Sequence, residues 1–105
     1  MVNPGFVGFD WDDGNRSKCQ KHGMTTAQIE HVVTHHSTLL VPSPKGSGEA
    51  RIMAIGRTPE GRAAMVVFTP RTRRGETVLR PVSARFMHRR EARKYEQEVP
   101  GSENR

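Results

Sequence analysis

Lysine, histidine and arginine recur along this chain where a turning or extended backbone could gather them. Lys21 and His22 close one polar segment, Arg57 and Arg62 flank the turn "TPEG", and Arg71, Arg73, Arg80 and Arg85 follow through the next extended runs. Such a set suits chemistry at a phosphate. Cleavage of an RNA phosphodiester runs without a metal ion when cations stabilise the charge building on the phosphate while other groups move protons to and from the reacting oxygens. A guanidinium fork meets the first need with two parallel N–H donors. His88 and Tyr95, in "SARFMHRREARKYEQ", could carry a proton or stack on a base. For any single arginine the competing reading is a solvated basic face, and for Tyr95 it is core packing.

Other constellations are weaker. His31 and His35 have the helical spacing at which two imidazoles share a metal ion, but no zincin glutamate, third ligand or cysteine pair accompanies them, which favours a polar face or partner surface. "PKGSGE" puts glycine beside Lys45 without the order of residues that cradles a nucleotide phosphate, so it reads as a surface loop. Asp10, Asp12 and Asp13 resemble an acidic metal cluster, yet strand-end and helix-cap roles account for them. No metal or cofactor is expected.

These side chains need elements to position them. Phe6 to Trp11 is aromatic and β-branched and reads as a first strand. Asp13 to His22 is helix-compatible, with Asp12 or Asp13 to cap it and Gly23 to end it. Thr25 and Gln28 form a capping box, and Ile29, Val32, Val33 and His36 repeat at helical spacing, so a second helix runs to about His35. Leu39 to Val41 is extended before the loop "PSPKGSGE". "ARIMAIGRT" and "RAAMVVFTP" make a hairpin around Pro59 and Gly61, "RTRRGE" reverses the chain again, and Pro81 in "TVLRPVSA" demands an edge strand or a bulge. A last helix is expected over Met87 to Gln97, stopped by Pro100 and Gly101, with a polar tail beyond. The pattern predicts an α+β domain with Ile29, Val33, Ile55, Val67, Phe68 and Val82 in a core between helices and antiparallel sheet.

The composition is compatible with this. The chain has 105 residues, room for one domain with a modest core, ordered over about 6–97. Its net charge of +6 favours an anionic partner such as RNA, DNA or an acidic protein. A single cysteine, Cys19, excludes an intrachain disulfide and fits a reducing cytoplasm. No apolar run approaches a membrane span, and "MVNPGFVGFDWDD" lacks the basic-then-apolar order of a leader, so a soluble, intracellular protein is expected.

"FDWDDGN" followed by "KHGMTTAQIEHVV", "AIGRTPEGRAAMVVFT" and "VSARFMHRREARKYE" resembles, in order and spacing, the BrnT family of toxins from bacterial type II toxin–antitoxin modules, over Phe9 to Glu96. The resemblance implies a RelE-like fold: a first strand, two helices, an antiparallel sheet and a C-terminal helix. It implies a metal-independent endoribonuclease that inhibits translation. The implied partner is a BrnA-like ribbon-helix-helix antitoxin, through which the pair would reach operator DNA. Carried over by position, the candidates are Lys21, His22, Arg57, Glu60, Arg62 and Arg85, then Arg71, His88 and Tyr95; joined by the basic residues Arg73 and Arg80, they make a catalytic set of Lys21, His22, Arg57, Glu60, Arg62, Arg85 and His88 and an RNA-binding set of Arg71, Arg73, Arg80 and Tyr95. The sequence departs from the family's usual pattern at Pro81 and in the loop "VPSPKGSGEAR". The alternative is a basic RNA-binding, DNA-binding or antitoxin-binding module without catalysis. In either case the opening of the Ser83–Gln97 stretch is expected near RNA, through Arg85, while Arg89, Arg90, Arg93 and Lys94 spread around the helix.

Overall fold

The computed structural model describes residues 5–43 and 49–96. The middle of the expected "PSPKGSGE" loop, the expected helix end at Gln97 and the polar tail lie outside them. The elements are α1 (Asp13–Cys19), α2 (Thr26–Thr34), β1 (Leu39–Pro42), β2 (Ile52–Arg57), β3 (Ala63–Arg73), β4 (Glu76–Phe86) and α3 (Arg89–Glu96). The strands form one antiparallel sheet in the order β1-β2-β3-β4, so the fold is α+β with the expected layout of helices and sheet.

Both N-terminal helices start on capping boxes. At α2, Thr25 accepts from the Gln28 amide and Gln28 returns a bond to the Thr25 amide, as read from the sequence. At α1, Asp12 caps and Asn15 is its partner. Asn15 does more than cap. It is buried, and its Nδ2 donates to the backbone oxygens of Asp10, at 2.9 Å, and Pro81, at 2.8 Å. Pro81 has no N–H to give a ladder, and the register slips beside it: Val67 faces Ser83 while Phe68 faces Pro81, which leaves Val82 as the extra residue of a bulge. Asn15 therefore ties the start of α1 to the one irregular point of β4.

The expected first strand over Phe6–Trp11 is corrected. Phe9 makes a single parallel bridge to Leu79, supported by bonds from Val7 to Thr77, Leu79 to Gly8 and Asp10 to Leu79. The chain leaves the β4 edge at once, because Asp12 must turn to cap α1. Its aromatic character serves packing: Phe6, Phe9 and Trp11 lie against the main core.

Strand alternation divides that core in two. Ala54 on β2, Ala64, Val66 and Phe68 on β3, and Leu79 and Ala84 on β4 pack with Cys19, Met24, Ile29, Val32 and Val33 from the α1/α2 side. Ile55 joins Met87 and Ala92, with Met53, Ala63, Met65 and Tyr95 around them, on the side covered by α3. Ile29, Val33, Phe68 and Ile55 are buried as expected, but Ile55 belongs to the α3 layer. Val67 and Val82 are only half-buried, the first by sharing the parity of Ala63 and Met65, the second by sitting in the bulge. Burial pushes the Cys19 thiol up to about 11. No helix among the described residues is long and apolar enough to cross a membrane.

Candidate active site

One end of the sheet gathers chemistry-bearing residues: β2 stops there at Arg57, opposite Ala63, and β4 stops at Phe86, opposite Ala64. The turn joining α1 to α2 comes to the same place. Gly23 takes φ 98°, a left-handed value that favours glycine, and a Cβ added to it would lie 3.8 Å from the Phe86 ring. Lys21 and His22, immediately before it, are exposed.

Arg62, the first residue after the hairpin turn, lays its guanidinium over Phe86, with its central carbon 3.6 Å from the ring centroid. Thr58 closes that turn by donating its amide to the Arg62 oxygen and accepting from the Gly61 and Arg62 amides. Arg57 donates to the Gly61 oxygen at 2.9 Å and so braces the turn. Glu60, at its tip, accepts from Gln28 Nε2 at 3.1 Å. That bond, followed by a backbone hydrogen bond at Glu60, holds the carboxyl below its ordinary range. Gln28 thus caps α2 and orients Glu60 at once. Lys21, His22 and Gly23, then Phe86, Arg62 and the turn to Glu60, form a continuous series of neighbours.

The remaining candidates lie elsewhere. Arg85 precedes Phe86, so its side chain leaves the opposite face of the sheet, where Glu91 of α3 receives both guanidinium nitrogens at 2.9 and 2.7 Å. The pairing raises Arg85 and lowers Glu91, in each case chiefly through this hydrogen bond. Glu91 is also hydrogen-bonded to the His88 backbone, which puts His88 at the start of α3. Tyr95 is half-buried against the α3-side cluster. Arg89, Arg90, Arg93 and Lys94 are exposed around α3.

Arg71, Arg73 and Arg80 are not brought to this end of the sheet. Arg71 pairs with Glu49 at 2.9 Å, Arg73 with Asp10 at 2.7 Å, and Arg80 with Asp12 at 2.9 Å and Asp10 at 3.5 Å. Asp12 holds Arg80 firmly protonated. The pairs to Asp10 and Asp12 fasten the N-terminal segment to the sheet, and the pair to Glu49 fastens the chain before β2 to β3. His35 and His36 stack with centroids 4.4 Å apart, and the His31 ring sits tilted to that of His35 at 5.0 Å. The Ser37 amide donates to His35 Nδ1, and burial, then His36 and His31, keep His35 below its usual pKa. Among the described residues no group of three or more His, Cys, Asp or Glu is disposed to hold a metal ion.

Phe86 and Gln28 were missed as site residues by sequence reasoning. Strand alternation from Arg85 gives the face of Phe86, but nothing local pairs it with Arg62. No curated protein matches the chain. The family model described as "Ribonuclease toxin, BrnT, of type II toxin-antitoxin system" matches residues 11–91, from Trp11 before the α1 cap to Glu91 in the first turn of α3, and spans every side chain of the sheet-end site. The chain therefore belongs to the BrnT family of ribonuclease toxins of type II toxin–antitoxin systems.

Proposed function

We propose that the chain is an endoribonuclease that cuts RNA without a metal ion, at the end of the sheet formed by the Lys21–His22 turn, Glu60 and Arg62. The observation that carries this reading is the Arg62 guanidinium: it lies on Phe86, and among the described residues no carboxylate or carbonyl engages its N–H groups. Glu60, a carboxylate that the Gln28 bond holds below its ordinary range, takes the proton of a ribose 2′-hydroxyl. The 2′-oxygen forms a bond to phosphorus as the bond from phosphorus to the 5′-oxygen breaks, and His22 gives that oxygen a proton. Arg62 and Lys21 stabilise the additional negative charge on the phosphoryl oxygens. The products are a 2′,3′-cyclic phosphate and a 5′-hydroxyl.

Arg57 braces the turn that carries Glu60 and Arg62. Arg85, His88 and Tyr95, on the α3 side, contact the flanking strand in this reading, and Arg71, Arg73 and Arg80 add to the field that attracts RNA while they hold the fold together. Cleavage of transcripts in the cytoplasm inhibits translation. A BrnA-like ribbon-helix-helix antitoxin neutralises the enzyme by covering this basic surface, and the pair reaches operator DNA through the antitoxin. The charge of +6 and the exposed cations of α3 suit an acidic face on that partner.

Incubation of the purified chain with RNA in EDTA tests the reading. It expects fragments ending in 2′,3′-cyclic phosphate, uncut DNA, and loss of cleavage in Arg62→Ala and Glu60→Gln. RNA bound but left whole, with or without ribosomes, would make the chain a basic binding module instead.

A further inference from the structure

Arg62 and Arg85 are restrained in opposite ways, and the difference has chemical consequences. Arg85 is fixed by a carboxylate, so the two-nitrogen edge of its guanidinium that would make a bidentate fork to phosphate is already engaged by Glu91. Arg62 is fixed through the face of its guanidinium, and an aromatic face occupies none of the five donors at the edge of that plane. A side chain with many rotors is thereby ordered while its whole hydrogen-bonding edge stays open.

The surroundings of Phe86 favour this role. Its ring packs against the α1/α2-side core, which fixes it from below, and it stands opposite the small Ala64 on β3. On its flank the α1–α2 turn passes as Gly23, without a side chain, and Lys21 and His22, which precede it in that turn, are exposed. Arg62 is exposed, so the face of its guanidinium turned away from Phe86 meets solvent.

We infer that Phe86 is a positioning residue for RNA cleavage: its ring holds the Arg62 guanidinium flat, with the N–H fork presented to the scissile phosphate beside the Lys21–His22 turn. This rests on the ribonuclease reading above and adds to it the part that orients the phosphate-binding arginine. Charge alone is then insufficient at position 62, because an ammonium has no plane to lay on the ring and no fork to present. A flat aromatic is required at position 86, and an aliphatic side chain of similar bulk does not replace it.

The test compares Phe86→Leu, Phe86→Tyr, Phe86→Trp and Arg62→Lys with the unaltered full-length chain. Cleavage of a fluorogenic mixed-sequence RNA oligonucleotide gives kcat and KM, and circular dichroism with thermal unfolding reports the fold. Phe86→Leu and Arg62→Lys should each lower kcat about tenfold with little change in KM. That lies between the roughly two- to fivefold expected from loss of a cation–π contact alone and the roughly hundredfold that a misplaced group can cost. Phe86→Tyr and Phe86→Trp should retain most of the rate. A folded Phe86→Leu protein that cuts as fast as the unaltered chain overturns the inference, as does an equal loss in the Tyr and Trp variants. If Phe86→Leu unfolds, Arg62→Lys and Phe86→Trp decide: the first must lose the rate and the second keep it. A 2′-O-methyl RNA oligonucleotide, which cannot be cut, separates this inference from the reading beneath it. Its binding should shift the Arg62 Nε–H resonance in the unaltered chain and leave that resonance unmoved in Phe86→Leu, or in Arg62-containing Phe86→Ile should the leucine variant unfold. Absence of cleavage by the unaltered chain defeats the ribonuclease reading alone, whereas an Arg62 signal indifferent to RNA, or equally responsive without the ring, defeats the role of Phe86.

Discussion

Replacing Asn15 by Ala should destabilise the protein far more than replacing Gln28 by Ala, although both residues are the third helical position of a capping box. The Asn15 carboxamide donates to Asp10 and Pro81 and accepts from the Asp12 amide, and the residue is 5% exposed. Alanine leaves the buried Pro81 carbonyl without its donor, at a cost of about 1–3 kcal/mol, and removes two part-buried bonds worth about 1 kcal/mol each, or roughly 3–5 kcal/mol together. The Gln28 box is exposed, so its loss should cost only about 0.5–1 kcal/mol. At roughly 4–8 °C per kcal/mol for a domain near this size, Asn15→Ala should unfold at least ~12 °C below the unaltered chain and Gln28→Ala only a few degrees below it. Thermal and urea unfolding at pH 7, followed by circular dichroism, would measure both. Asn15→Asp sharpens the comparison. It keeps the shape but replaces the amide donor with a carboxylate oxygen facing two carbonyl oxygens, so it should be no better than alanine. Similar shifts for Asn15→Ala and Gln28→Ala, or a stable Asn15→Asp, would show that the tie to the bulge contributes little.

The pair Arg85 and Glu91 should show a coupling of about 0.5–1 kcal/mol in a double-mutant cycle of Arg85→Ala and Glu91→Gln, since its geometry is bidentate but water reaches both side chains. The folded protein lowers the Glu91 pKa below 4.5, so this coupling is fully present above that value and should vanish as the pH falls through the folded pKa, measured by repeating the cycle at pH 7 and pH 3. For cleavage, the lowered Glu60 pKa should keep the base ionised into the ordinary glutamate range, with the rate falling only below it. Because the Gln28 bond is the first cause of that lowering, the acid limb of the rate profile should move to higher pH in Gln28→Ala; an unmoved limb would refute Glu60 acting as a base tuned by Gln28.

Local chemistry made much of the fold legible. The Thr25 and Gln28 box, the Pro59–Gly61 turn and the disruption at Pro81 each rest on the residues that produce them, and each is present. Phe6–Trp11 misleads because its aromatics have the composition of a strand while Asp12 commits the chain to a helix cap. Periodicity shows that α3 has an apolar side but not which face of the sheet it covers, so the transfer of Ile55 and Tyr95 to a second layer was hidden. The site was legible as residue types. Its division was not: whether an arginine meets a carboxylate or an aromatic ring depends on Arg62 and Phe86 crossing β3 and β4, and on Asp10 and Arg73 meeting from opposite ends of the chain.

The strip of chain that runs along the β4 edge also sets an order of assembly. Residues 7–10 find their partners at residues 77–79, Asn15 finds its own at Pro81, and Arg62 finds its ring at Phe86. Each contact closes a long loop whose entropy must be lost before the contact forms. During synthesis residues 7–15 therefore wait for residues 77–81, and no stretch ending before β4 contains the surface on which Arg62 rests. A growing chain is still attached to its own messenger RNA at that stage. The topology postpones assembly of the Arg62–Phe86 surface until β4 has been made.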